Sequence, residues 1–128
     1  MATGFPAVTG DILTAAAYNG LVNYTVQTNI NDATAVLNDQ YQVLELMNKA
    51  TAIAFNIPTN ASVAFPIGTA ITVLNIGAGV CTISAVTSGT TTVLSAGATA
   101  AAPTLAQYKS AACIKVASDT WYVVGAIA

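Results

Sequence analysis

Residues 56–76 read N-I-P-T-N-A-S-V-A-F-P-I-G-T-A-I-T-V-L-N-I, two alternating apolar segments joined through Pro66, Ile67 and Gly68. Val63, Phe65 and Ile67 fall at every second position, which places all three on one face of an extended strand. Pro66 has no N–H for a ladder and Gly68 accepts dihedrals that other residues avoid, so the pair marks an edge or a corner. A strand that turns a corner here passes from one sheet to another, as in a small sandwich or barrel.

The same pattern continues on both sides. Upstream, Thr51 to Ile57 alternates with Ile53, Phe55 and Ile57 inward, and Tyr24, Val26, Thr28 and Ile30 share a face of an earlier strand. Ala33 to Leu37 is a short extended piece between turns. Val43 to Met47 fits a strand, although Asp39 to Lys49 also satisfies a helical face. Downstream, Gly77-Ala78-Gly79 is a turn, Val80 to Val86 returns with Cys81, Ile83 and Ala85 on one face, and Thr90 to Ser95 follows. Ala96 to Pro103 is a loop and Leu105 to Tyr108 a further short strand. Ala112, Ile114 and Val116 then alternate with Cys113 and Lys115, and Trp121 to Val124 closes the chain. Strands separated by turn signals every ~8 to 12 residues predict an all-β fold, a small antiparallel β-sandwich or barrel. The predicted core is Ile53, Phe55, Val63, Phe65, Ile67, Ile71, Val73, Ile83, Ile114, Val116, Trp121 and Val123.

The front section differs. Residues 1–23 predict an N-terminal arm and one short helix, with residues 24–128 as the β-domain. Gly4, Pro6 and Gly10 prevent a long regular element, yet Phe5, Val8, Ile12 and Leu13 are apolar, as an arm folded back on its own domain or laid on another protein would require. Thr14 can cap a helix carrying Tyr18, Leu21 and Val22 on one face. Gly20 weakens that helix by about 1 kcal/mol relative to Ala, so it must dock on something.

Composition excludes more than it assigns. The 128 residues suit one domain, but only 6% are charged, against roughly 25% in ordinary soluble proteins. Thr, Ser, Asn and Gly interrupt every apolar run before the ~18 residues of a membrane-spanning helix, and no membrane partner is expected. No basic start followed by an apolar run marks a secretory signal. Lys49, Lys109 and Lys115 are the only cations, too few to hold a phosphate backbone, so no nucleic-acid partner is expected. Cys81 and Cys113 lie among apolar neighbours and read as buried free thiols, the alternative being a bridge, which requires their two strands to be neighbours.

Catalytic chemistry lacks its usual groups. There is no His to act as base or metal ligand and no Arg to clamp an anion. Asp11, Asp32, Asp39 and Asp119 stand in or beside turn sequence, where Asp caps backbone N–H groups, and Glu45 is isolated from them in sequence. Asn29, Asn31 and Asp32, or Asn38 and Asp39, offer oxygens to a calcium ion but lack the spacing of a known calcium loop. Trp121 and Tyr122 alternate to opposite faces, so they do not form a sugar-stacking pair. The chain is expected to be no enzyme and to need no cofactor. With so few charges, its outward faces of Ala, Thr, Ser and Asn suit packing against another copy or a large assembly.

Four stretches carry a resemblance: V-L-N-D-Q-Y-Q-V-L-E-L-M-N-K-A-T-A-I-A-F-N-I-P, N-A-S-V-A-F-P-I-G-T-A-I-T-V, G-A-G-V-C-T-I-S-A-V and Q-Y-K-S-A-A-C-I-K-V-A-S-D-T-W-Y-V-V-G. Over roughly residues 33 to 126 the chain resembles a β-domain that recurs in virion proteins of tailed bacteriophages, and this favours strand for Val43 to Met47. The opening T-G-F-P-A-V-T-G-D-I-L-T-A-A-A-Y-N-G-L-V is similar to the front ends of phage fibre and decoration proteins. No long shaft or receptor-binding tip follows the β-domain, which favours head decoration over a receptor-binding fibre. The resemblance implies a capsid decoration, or cement, protein, trimeric, made in the bacterial cytoplasm and placed on the outer capsid surface. Its partners would be the major capsid protein and itself as a homotrimer. Phe5, Pro6, Val8, Ile12, Leu13, Tyr18 and Leu21 are the expected contacts with the capsid or a neighbouring protomer. A tail-associated fibre, collar or baseplate adaptor, or a carbohydrate-adhesion module on the virion, are the alternatives.

Overall fold

A computed structural model describes residues 23–128. The expected arm, helix and contact residues Phe5, Pro6, Val8, Ile12, Leu13, Tyr18 and Leu21 lie outside the described residues. The fold is β-rich, built from β1 (Thr25–Asn29), β2 (Ala33–Thr34), β3 (Val43–Met47), β4 (Ile53–Ile57), β5 (Ala70–Asn75), β6 (Cys81–Ala85), β7 (Thr92–Ser95), β8 (Thr104–Leu105), β9 (Lys109–Ala117) and β10 (Thr120–Gly125). A 3-10 turn at Leu37–Gln40 replaces the helix that residues 39–49 could have formed, and Val43 to Met47 is strand.

The strands make a six-stranded sheet in the order β1-β3-β5-β9-β10-β7 and a four-stranded sheet in the order β2-β4-β6-β8. From β1 to β9 each successive strand belongs to the other sheet. The expected antiparallel arrangement is therefore corrected: β1, β3 and β5 run parallel, as do β2, β4 and β6, and β7 is parallel to β10. Antiparallel pairing among the described residues is limited to β5–β9, β9–β10 and β6–β8. The cause lies in the turns. The connections carry the chain across to the opposite sheet, so two reversals separate neighbours within a sheet and they point the same way. Parallel strands ordinarily need a crossover, and here a strand of the other sheet serves as one.

Successive crossings stack on one another at the 48–52 and 76–80 turns. The N–H groups of Ile76 and Gly77 donate to the Met47 carbonyl at 2.9 and 3.3 Å, and the Gly79 N–H donates to the Lys49 carbonyl at 3.0 Å. A Cβ on Gly77 or Gly79 would collide with the backbone of Lys49 or Thr51, so the G-A-G sequence permits the stacking. Asn75, fully buried, secures the turn: its amide donates to the carbonyls of Gly79 and Leu105, both at 2.9 Å, and its Oδ1 accepts from the Gly77 N–H at 3.1 Å.

Inward side chains of both sheets join one apolar cluster. Phe55 and Ile57 of β4, Ile83 of β6 and Leu105 of β8 meet Met47, Ile71, Val73, Cys113, Trp121 and Val123. Burying each large side chain favours folding by roughly 1.5–3 kcal/mol. Ile53, Phe55, Phe65, Ile71, Val73, Ile83, Trp121 and Val123 are buried as expected, and Val63 packs against the cluster half-buried.

Three expected core positions are corrected. Residues 63–67 form no strand but a loop with tight turns, in which the Thr69 N–H donates to the Pro66 carbonyl at 3.1 Å and Gly68 adopts φ +94°. The turn sends Ile67 into solvent, 68% exposed, while Phe65 stays inside. In β9 the inward set is Ala111, Cys113 and Lys115, leaving Ile114 half-buried and Val116 exposed on the opposite face. Lys115 takes the inward position because its stem packs in the core and its ammonium finds the Phe65 carbonyl at 2.7 Å. With a period of two, that choice reverses every side chain of the strand.

Candidate interaction surface

The pairing registers line the outward side chains of the six-stranded sheet in continuous rows. Val26, Leu44, Thr72, Ala112 and Val124 form one row, Thr28, Leu46, Leu74 and Ser110 a second, and Ala70, Ile114, Tyr122 and Leu94 a third. No member of these rows is charged. Val26, Tyr122 and Val124 are about half exposed, and the leucines between them are half-buried by one another. Together the rows make an uncharged face in which only Thr28, Thr72 and Ser110 are polar, the kind of patch that soluble proteins normally keep small.

The charges that would break up such a face are elsewhere. Asp39, Glu45 and Lys115 are buried, which leaves Asp32, Lys49, Lys109 and Asp119 for the rest of the described surface. Among the described residues, strand β1 forms one edge of the sheet, bonded to β3 alone, and its sequence T-V-Q-T-N has none of the lysines or prolines that usually guard an edge.

Beneath β1 lies a cavity of about 320 Å³ lined by Thr25, Gln27, Asn29, Thr34, Asn38, Asp39 and Glu45 among others. Three of the calcium-type oxygen donors weighed from sequence, Asn29, Asn38 and Asp39, line this cavity, joined by Glu45 from β3, whereas Asp32 instead accepts the Ala54 N–H at 2.9 Å. Asp39 Oδ2 accepts the Val36 N–H at 2.9 Å and the Asn29 amide donates to Glu45 Oε1 at 2.8 Å. Burial, and then a hydrogen bond to Asp39, push the Glu45 carboxyl up to about 7. No group of three acidic, Cys or His residues that could hold a metal occurs among the described residues.

The two thiols are shielded. Cys81 and Cys113 are free and buried, and burial pushes their thiols up to about 11 and about 12. Trp121 is buried and Tyr122 exposed, on opposite faces as their spacing requires. Sequence reasoning missed Glu45, Asn75 and Lys115 as buried polar residues. Each sits at an inward position of an otherwise apolar alternation, which was the available signal. No protein-family model, curated protein or solved structure matches the chain.

Proposed function

We propose that this chain is a structural protein of a tailed-phage particle, a small β-sandwich that decorates and stabilises the outside of the capsid as a trimer. The observation that carries the reading is the uncharged outer face of the six-stranded sheet, whose apolar area another protein would remove from water by covering it. Repeated over a shell, modest contacts of this kind would resist internal pressure from packaged DNA. The apolar segment from Phe5 to Leu13 supplies the second contact, with the capsid or a neighbouring protomer. The scarcity of chemically competent groups agrees with a role that makes contacts rather than bonds to substrates.

The test is binding of the purified protein to heads that lack it, followed by sedimentation. Wild-type protein should co-sediment, a Tyr122→Lys/Val124→Glu variant should not, and deletion of residues 2–13 should also abolish binding while the β-domain stays folded. Binding of the wild type to tails and not to heads would favour the adaptor reading. Glycan binding by the isolated protein would favour the adhesion reading.

A further inference from the structure

Lys115 is 2% exposed, and both oxygens that its ammonium touches are neutral: the Phe65 carbonyl at 2.7 Å and the side-chain Oδ1 of Asn60 at 2.5 Å. A buried ammonium without an anionic contact is costly, and its retention calls for a purpose. The contact with Asn60 is held from several sides. The Asn60 main-chain N–H donates to Asp119 Oδ1 at 2.8 Å, and the same oxygen accepts the hydroxyl of Thr91, itself buried, at 3.2 Å. Lys115 is fixed in turn by β9, where it stands opposite Trp121, and Trp121 meets Phe65 edge to face.

We propose that Lys115 and Asn60 are the two halves of an intramolecular isopeptide bond. The nucleophile lies against the carboxamide oxygen, one bond from the carbon it must attack, and proximity of this kind replaces a bimolecular encounter. Nζ of Lys115 passes one proton to the Asn60 Oδ1 it already touches, the freed lone pair adds to Cγ of Asn60, the tetrahedral centre collapses, and the Cγ–Nδ2 bond breaks. Two protons of the ammonium pass to the departing nitrogen, which leaves as ammonium ion. The charge balances, and no oxidant, cofactor or metal takes part. Asp119 is a positioning residue in this scheme: it holds Asn60 through the main chain.

The bond would join residues 55 apart in sequence, linking the loop before β5 to the middle of β9. Unfolding would then no longer release the chain entropy of separating them, as with a disulfide across the same span. Unlike a disulfide, the link would survive reduction.

Mass spectrometry of the purified full-length chain under denaturing conditions decides the matter. The folded wild-type protein should be lighter than its sequence by about 17 Da, one ammonia, while Lys115→Arg and Asn60→Ala should show no loss. Trypsin cuts only after Lys49, Lys109 and Lys115, and acylation blocks the last site, so peptide 50–109 should be recovered joined to peptide 110–128. Recovery of 50–109, 110–115 and 116–128 as separate peptides of unmodified mass would overturn the proposal. Ammonia loss confined to linear peptide 50–109, as from a succinimide at Asn60, would overturn it equally. Asp119→Ala should slow the ammonia loss of newly made, still unlinked chains, followed by mass over time, and Asp119→Glu should recover part of the rate.

Discussion

Phe65 meets Trp121 edge to face, with ring centroids 5.5 Å apart and planes at 90°. The contact ties the loop between β4 and β5 to the closing strand, so the stretch that dominates the sequence is held by packing rather than by a ladder. Phe65→Ala should cost about 3–5 kcal/mol, measured by denaturant unfolding. Ile67→Ala, two residues on and exposed, should change stability by no more than ~0.5 kcal/mol. Equal effects of the two would show that Ile67 is in the core after all.

The Glu45 carboxyl gives stability a pH dependence of definite sign. Its folded value, about 7, lies above its ordinary 4.5, so the folded state binds the proton more tightly. The contribution is complete below 4.5 and is lost as pH rises through 7. The melting temperature should therefore fall between pH 4.5 and 7.5, and Glu45→Gln, which keeps the shape without the charge, should flatten that part of the profile. An unchanged profile in the variant would assign the dependence to another group.

Asn75 supplies three hydrogen bonds in a dry interior. Asn75→Leu should destabilise by roughly 3 kcal/mol or more, because Gly77 N–H and the carbonyls of Gly79 and Leu105 lose their partner. Gly79→Ala should be at least as damaging, since the added carbon meets the Thr51 backbone. Thermal melts of both variants check this, and a near-neutral Gly79→Ala would show that the two turns do not stack.

Cys81 and Cys113 should resist alkylation in the native protein at pH 8 and react fully once it is denatured. Thiol titration with and without denaturant reads this directly, and rapid native reaction would contradict their burial.

Much of the fold was legible because strand patterns are local. Alternation located β4, β6 and β10 with their inward faces, since Ile53-x-Phe55-x-Ile57 and Trp121-x-Val123 each have one reading, whereas in β3 the buried set is Val43, Glu45 and Met47 rather than the leucines. Strand direction was not legible, because the turns at Asn48–Ala52 and Ile76–Val80 look like hairpins until the opposite sheet is present to receive the chain. The faces of β9 were misread because both alternatives contain apolar residues. A lysine is assigned outward until Phe65 and Asn60, far away in sequence, provide its acceptors. The outer face was legible only as a shortage of charge. Its continuity follows from the registers across six strands, which no single segment encodes.

The most direct measurement of the proposed role is the stoichiometry of this chain in purified phage particles, relative to the major capsid protein, by quantitative mass spectrometry. Decoration of the head predicts copies on the scale of the major capsid protein itself. A handful of copies per particle would contradict the decoration role and move the chain to a vertex or the tail.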